Sequence, residues 1–276
     1  MPDQLINHHQ MHYEVYGQGQ AMVMIHGGLG GDEGCGSFVE HHASTLARQF
    51  KMIFYDRRAS GSSSTPEDGY SMKNYSHDLY SLLTHLQVSN AHILGQSGGG
   101  PIAIQFALDH PDMTDTLLLI NTMSYAQGSE RAARQLELDQ LLADGDSVGK
   151  LESTVRGLEI RRPGLREKEP ARFQNLVEFK LERFEGIAKT IQSYLDIGDS
   201  LESRLSELEM PTLMVHGDAD SRISIDCSYQ LHEAIAGSEI YVVPGAEHGL
   251  LANEPDLTRN VILQFLEQKT AIVSPV

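Results

Sequence analysis

Tryptophan is absent from this chain, cysteine occurs only twice, and no apolar run approaches the ~18 consecutive residues that a membrane-spanning helix needs. The missing run excludes a transmembrane helix, while the missing tryptophan decides nothing about function. Cys35 and Cys227 lie far apart. A secreted scaffold held by disulfides uses more cysteines in closer spacing, so a reducing compartment fits better. The opening stretch MPDQLINHHQ has no basic start leading into an apolar segment and does not read as a secretory signal. A soluble, cytoplasmic protein is the expectation. Basic residues are also scarce: 21 Lys and Arg stand against 38 Asp and Glu, a formal net charge of −17. A field of that sign repels phosphate backbones and anionic lipid, so neither nucleic acid nor a membrane is expected as a partner. The acid excess reads first as solubility, with a mild bias toward neutral or cationic small molecules left open. A homo-oligomer also stays open.

What is present is alternation. Short apolar runs bounded by Gly, Pro or Asp recur as AMVMIHG (21–27), KMIFYD (51–56), AHILGQ (91–96) and TLLLIN (116–121), the pattern of strands buried on both faces. Segments 38–50 and 71–87 place apolar residues three and four apart, as amphipathic helices do, with Ser71 at the N-cap position of the second. MHYEVYG (11–17) alternates and predicts an antiparallel strand at the sheet edge. Residues 124–205 are dense in Glu, Arg, Leu and Gln and read as an insertion of about four helices. Alternation then resumes with a strand at 212–218, a helix at 227–236, a strand at 239–245 and a helix at 255–268. AIVSPV at the end reads as a loose tail. Strand–helix alternation of this kind implies a parallel, doubly wound sheet.

The sharpest local signal is Gly95-Gln96-Ser97-Gly98-Gly99, which fits the G-x-S-x-G nucleophile elbow. The pattern alone is weak; its placement between a buried strand and a helix (Ile102, Ile104, Phe106, Ala107) read as amphipathic gives it weight. A serine on that turn adopts a strained backbone, so small residues are needed on either side, and Gly95 and Gly99 supply them. The backbone N–H of Gly98, at the helix start, would face a developing oxyanion. Pro101 falls in the first helical turn, where its missing N–H costs little. The bland alternative is a glycine-rich turn with an incidental serine.

On these residues the sequence resembles the α/β-hydrolase superfamily, from His26 to Phe265. The resemblance implies an α/β fold: a doubly wound, mostly parallel sheet of about eight strands, with a helical cap inserted after the sixth strand. Residues 1–123 and 206–276 would form the core and 124–205 the cap. His26-Gly27-Gly28 is similar to the family's HGG oxyanion loop, so Gly28 would pair with Gly98 as the two oxyanion donors. YDRRASGSS (55–63) is similar to its D-x-R-x-x-G-x-S turn. Ala59 stands where relatives most often carry Gly, a departure expected to be minor. Asp56 and Arg57 could form a charged pair near the site, although a turn that anchors loops is the simpler reading.

Thirteen histidines compete for the base. His248 follows the strand at 239–245 and a tight turn, which puts it at the carboxyl end of the sheet with the serine. The family order of serine, then acid, then histidine also selects it. His8, His9, His12, His41, His42, His77 and His85 read as solvated or hydrogen-bonded, and His26 as structural in the oxyanion loop. His8, His9 and His12 hint at a metal, but no Cys or acid cluster completes such a site, so no metal and no cofactor is expected. In HGDAD two carboxylates compete for the acid: relatives place it at Asp220, with Asp218 the runner-up. Some members carry the acid after the preceding strand, where this chain has Asn121 and no carboxylate.

A serine nucleophile excludes the epoxide-hydrolase and haloalkane-dehalogenase branches, which need aspartate at the elbow. The resemblance therefore implies acyl transfer to water, first on a small-molecule ester, with lactones, thioesters, amides and carbon–carbon bonds as related targets. A proline iminopeptidase-like aminopeptidase ranks second. Those relatives usually continue HGG with Pro-Gly and carry a bulky residue after the serine, whereas this chain reads HGGLGG and Gly98. From other classes, a small-molecule receptor or a cofactor-free oxygenase on the same scaffold stays open.

Overall fold

Runs such as MVMI and LLLI have no polar face, so they are stable as strands only where helices cover both sides of the sheet. A computed structural model of the chain describes residues 3–28, 34–125, 131–132, 135–136, 138–139, 147–197 and 200–273 and meets that demand. Its strands are β1 (Asp3–Ile6), β2 (His9–Tyr16), β3 (Gln20–Ile25), β4 (Phe50–Tyr55), β5 (Ala91–Gln96), β6 (Thr114–Ile120), β7 (Thr212–Gly217) and β8 (Glu239–Val243). Among the described residues these eight form one sheet in the order β1-β2-β4-β3-β5-β6-β7-β8. The pairings β1/β2 and β2/β4 are antiparallel and the other five parallel.

Side chains alternate between the two faces with the period of two that a strand imposes. Val23, Ile25, Ile53, Tyr55, Ile93, Leu117 and Leu119 join one core with helices α2 (Met72–His85) and α3 (Gly99–Asp109). Met22, Met24, Met52, Phe54, Leu94, Leu118, Ile120 and Val215 join the other, against Ile262, Phe265 and Leu266 of the last helix (Pro255–Val273). The helical run α1 over 36–46, whose middle turn Val39–Ala43 is widened, lies on that second face. β3 connects outward to β4 and β5 outward to β6, in opposite directions. The carboxyl ends of β3 and β5 therefore flank the switch point, where α/β sheets open a crevice.

Between β6 and β7 the described residues include α4 (Ser147–Arg161), a short turn Leu165–Lys168, α5 (Pro170–Glu182) and α6 (Phe184–Leu195). These helices divide into two kinds. Leu158, Leu165, Phe173, Leu176 and Val177 form a small core of their own. In contrast, α6 sends Ile187, Ala188, Ile191, Tyr194 and Leu195 into the main core. The chain then continues through α7 (Asp226–Ala234) and α8 (Pro255–Val273).

Several local expectations need correction. β2 is antiparallel but not the edge strand, because β1 pairs outside it. The hairpin turn uses Asn7 and His8, both at positive φ (42° and 66°), without the glycine that usually marks such turns. The helix after the elbow is not amphipathic: Gly99 through Leu108 are all buried, because α3 lies between the sheet, α2 and the inserted segment. His9 is buried rather than solvated, whereas His42 is buried and hydrogen-bonded, with Nε2 2.7 Å from Leu251 O; desolvation lowers the pKa of both, His42 to about 4. The terminal helix runs on through Ala271–Val273, and 274–276 lie outside the described residues.

Candidate active site

The turn from β5 into α3 places Ser97 at φ +51°, a left-handed conformation that costs a non-glycine residue about 1–3 kcal/mol. Its neighbours show why that turn needs glycine. A Cβ on Gly95 would lie 2.5 Å from the Gly99 carbonyl oxygen, and one on Gly99 would overlap the Ile25 carbonyl oxygen. The Ser97 N–H donates to Ile120 O at 3.0 Å, which fixes the elbow to the end of β6.

His248, on the loop after β8, brings Nε2 to 2.9 Å from Ser97 Oγ and Nδ1 to 2.8 Å from Asp220 Oδ2. With Nδ1–H given to the carboxylate, Nε2 presents its lone pair to the serine hydroxyl. The Asp220 side chain is fully buried and that of His248 keeps 15% exposure, so the two side chains face solvent through the imidazole alone. Burial by itself would push the Asp220 carboxyl up. Hydrogen bonds from His216, His248 and the Ile223 N–H outweigh it and hold the group far below the usual carboxylate range.

Of the two carboxylates that competed in HGDAD, the structure joins Asp220 to His248. Asp218 instead accepts the Gly245 N–H at 2.6 Å, anchoring the turn after β8. Two further residues, which no local motif marks, also reach Asp220. Asn121 donates Nδ2 to Oδ2 at 2.7 Å, and His216 sets Nε2 3.4 Å from the same oxygen. Oδ1 is taken by the N–H groups of Arg222 (2.9 Å) and Ile223 (3.0 Å).

The HGG segment at the end of β3 closes against the elbow. A Cβ on Gly27 would lie 3.0 Å from Ser97 Cβ, and one on Gly98 would overlap the Gly28 carbonyl oxygen. Gly28 itself has φ +87°. His26 is structural: Nε2 accepts the Arg57 N–H at 3.1 Å and Nδ1–H donates to Gly27 O at 2.8 Å. In the DRR turn Asp56 accepts the N–H groups of Cys35 and Ser62, each at 2.7 Å. The Arg57 guanidinium donates to the carbonyls of Gly27 (2.6 Å) and Gly28 (2.9 Å). The buried ion pair of the turn is Arg58 with Asp78, at 2.6 Å. Ala59 sits at φ +58°, the left-handed region that favours glycine, with its methyl fully buried.

From the inserted segment, Tyr194 of α6 accepts from Arg57 Nη1 at 2.9 Å and donates to the Gly98 carbonyl. Nothing in a Glu-rich stretch singled this tyrosine out. Among the described residues no group of three or more His, Cys, Asp or Glu is arranged to hold a metal. Among them, too, no helix is long and apolar enough to cross a membrane.

Residues 20–255 match the family model described as the alpha/beta hydrolase fold. The chain belongs to that family. At the coarse level it is a hydrolase of the α/β fold. A relative named a putative carbamate hydrolase, RutD, from Pantoea ananatis (strain LMG 20103) is 26% identical over 270 residues, covering 95% of this chain and 94% of its own. An enol-lactonase structure from Burkholderia xenovorans LB400 superposes with a TM-score of 0.78 at 20% identity, covering 96% of this chain and all of that one. An esterase from Exiguobacterium antarcticum gives 0.76, also at 20% identity, over 94% and 96% of the two chains. At that identity these two α/β-hydrolase structures speak for the fold.

Proposed function

We propose that this α/β hydrolase cleaves a small-molecule ester or related acyl bond through an acyl-enzyme on Ser97. The observation that carries the reading is the unbroken chain Asp220–His248–Ser97, with links of 2.8 and 2.9 Å. Ser97 Oγ attacks the acyl carbon while His248 Nε2 takes its proton, and buried Asp220 stabilises the imidazolium that forms. The N–H groups of Gly28 and Gly98 receive the oxyanion, and losing one such donor costs on the order of a hundredfold or more in rate. His248 then returns the proton to the leaving group. Water, activated by the same imidazole, attacks the acyl-enzyme, and Ser97 recovers its proton as the acid leaves. Residues 124–205 act as a cap over the site, with Tyr194 their link to the elbow. No step calls on a metal or an organic cofactor.

A carbamate is a second substrate class, favoured by the name of the Pantoea relative. Its carbonyl passes through the same attack and the same oxyanion, with an amine-bearing acyl group on Ser97. The test is a fluorophosphonate probe with the adduct mapped by mass spectrometry. Labelling at Ser97 that is lost in Ser97→Ala and much slowed in His248→Ala supports the reading. Folded wild-type protein that takes no label overturns it.

A further inference from the structure

Both N–H groups assigned to the oxyanion lie in glycine-rich backbone: Gly27-Gly28 on one side, and Gly98, Gly99 and Gly100 beside a strained serine on the other. Glycine offers no side chain to hold such a peptide in one orientation. Something outside the loop has to do so. A peptide group is planar, with C=O and N–H pointing in opposite directions, so fixing the oxygen fixes the aim of the hydrogen.

The Gly28 N–H belongs to the peptide whose oxygen is Gly27 O. That oxygen receives Arg57 Nη2 at 2.6 Å and His26 Nδ1 at 2.8 Å. The Gly98 N–H belongs to the peptide whose oxygen is Ser97 O. That oxygen receives the Thr122 hydroxyl at 2.5 Å and the Gly100 N–H at 3.0 Å. Arg57 is 2% exposed and Thr122 not at all, so neither donor competes with water. A charge-assisted bond to a carbonyl in a buried site also polarises the peptide and strengthens its N–H as a donor.

Accordingly, we propose that Arg57 and Thr122 are positioning residues of the oxyanion hole, each acting through the carbonyl end of the peptide whose N–H receives the charge. Tyr194 completes the device. It takes a hydrogen bond from Arg57 Nη1 at 2.9 Å and gives one to Gly98 O, tying the guanidinium to the elbow through α6. Thr122 follows the end of β6 by two residues, and glycine at 100 leaves room for its hydroxyl, which a Cβ there would overlap.

This proposal rests on Ser97 being an acylated nucleophile, and the experiment separates the two. Wild type, Thr122→Val, Thr122→Ser, Arg57→Lys and Tyr194→Phe are assayed on p-nitrophenyl butyrate and on its thiono analogue, in which sulfur replaces the carbonyl oxygen. Sulfur accepts hydrogen bonds poorly, so a misaimed oxyanion hole slows the ester more than the thionoester. Thr122→Val is expected to lower kcat on the ester about tenfold or more with KM within about twofold, and to shrink the ester-to-thionoester ratio. Thr122→Ser restores both. Arg57→Lys keeps the charge but not the planar fork and moves the ratio the same way. Tyr194→Phe, which loosens the guanidinium without unpairing a buried cation, carries the Arg57 arm where the lysine variant does not fold. Equal losses on both substrates, or a serine variant no better than valine, overturn the positioning role. Wild type that turns over neither substrate and takes no label at Ser97 removes the nucleophile reading, and this inference with it.

Discussion

Asn121 donates its carboxamide to Oδ2 of Asp220 across 2.7 Å, so the ends of neighbouring strands β6 and β7 converge on one carboxylate. Asn121 holds φ +44° to do this, a conformation asparagine tolerates better than most residues. The same oxygen serves His248 at 2.8 Å. The acid is therefore held from four sides: its own loop, the end of β6, His216 of β7 and the base.

Asn121→Asp would set two carboxyls at hydrogen-bond distance, where both cannot ionise and one pKa must rise. The pair then titrates together. The pH profile of kcat/KM should gain an ionisation that wild type lacks, with the acid limb displaced upward by about one pH unit or more. A profile that superimposes on wild type would show that residue 121 does not sense the acid.

The lowered pKa of Asp220 makes a second prediction, about stability. A carboxyl whose folded-state pKa lies below its unfolded value binds fewer protons when folded. Its contribution is thus complete above about pH 4, the ordinary carboxylate value, and is lost as pH falls below it toward the folded-state value. Urea unfolding of wild type and Asp220→Asn should differ by a constant amount from pH 7 to 5 and converge only below about pH 4. Convergence already at pH 6 would mean that the stabilisation comes from another group. The same variant should lose roughly a thousandfold or more in kcat, since asparagine cannot hold the imidazole in its useful tautomer.

Much of this arrangement is legible in the sequence, and the reason is locality. The strand-to-helix turn at Ser97 carries its requirement for glycine within five consecutive residues, and buried parallel strands announce themselves by lacking a polar face. His248 follows from where a loop must lie. Asn121, Arg57, Thr122 and Tyr194 carry no local signal of these roles, because each acts on a partner far away in sequence: Tyr194 meets Gly98 across 96 residues. β1 is not marked in the sequence, because its turn, Asn7-His8, reaches positive φ without glycine. The helix after the elbow carries the spacing of a surface stripe, whereas Gly99 through Leu108 are all buried.

Ser97 supplies a test of strain. At φ +51° its side chain works against the backbone, and alanine there keeps that strain while glycine releases it. Both substitutions abolish acylation, so stability can be compared on its own. Ser97→Gly should be more stable than Ser97→Ala by about 1 kcal/mol in thermal or urea unfolding, after glycine's extra chain entropy is offset. Equal stabilities would mean that the elbow relaxes once the serine is gone.

The seating of α6 on the DRR turn gives a last prediction, because it fixes how the inserted segment reaches the site. A Cβ on Gly186 would stand 2.8 Å from Ala59 Cβ, 2.8 Å from the Tyr70 hydroxyl and 2.5 Å from Thr65 Cγ2. Gly186→Ala therefore overpacks a closed contact and should cost about 1–3 kcal/mol. It should also slow turnover, since the same helix carries Tyr194 to Gly98. Ala59→Gly relieves a positive φ, worth about 1–2 kcal/mol, but gives up a buried methyl at about 0.8 kcal/mol and frees the unfolded chain by about 0.5–1 kcal/mol, so the net change is small. The double variant moves the methyl across the interface, so it should recover part of the stability lost in Gly186→Ala, with a coupling of about 0.5 kcal/mol or more in a double-mutant cycle. Strict additivity would place the strain of Gly186→Ala elsewhere, at Thr65 or Tyr70, and would detach Ala59 from the seating of the helix.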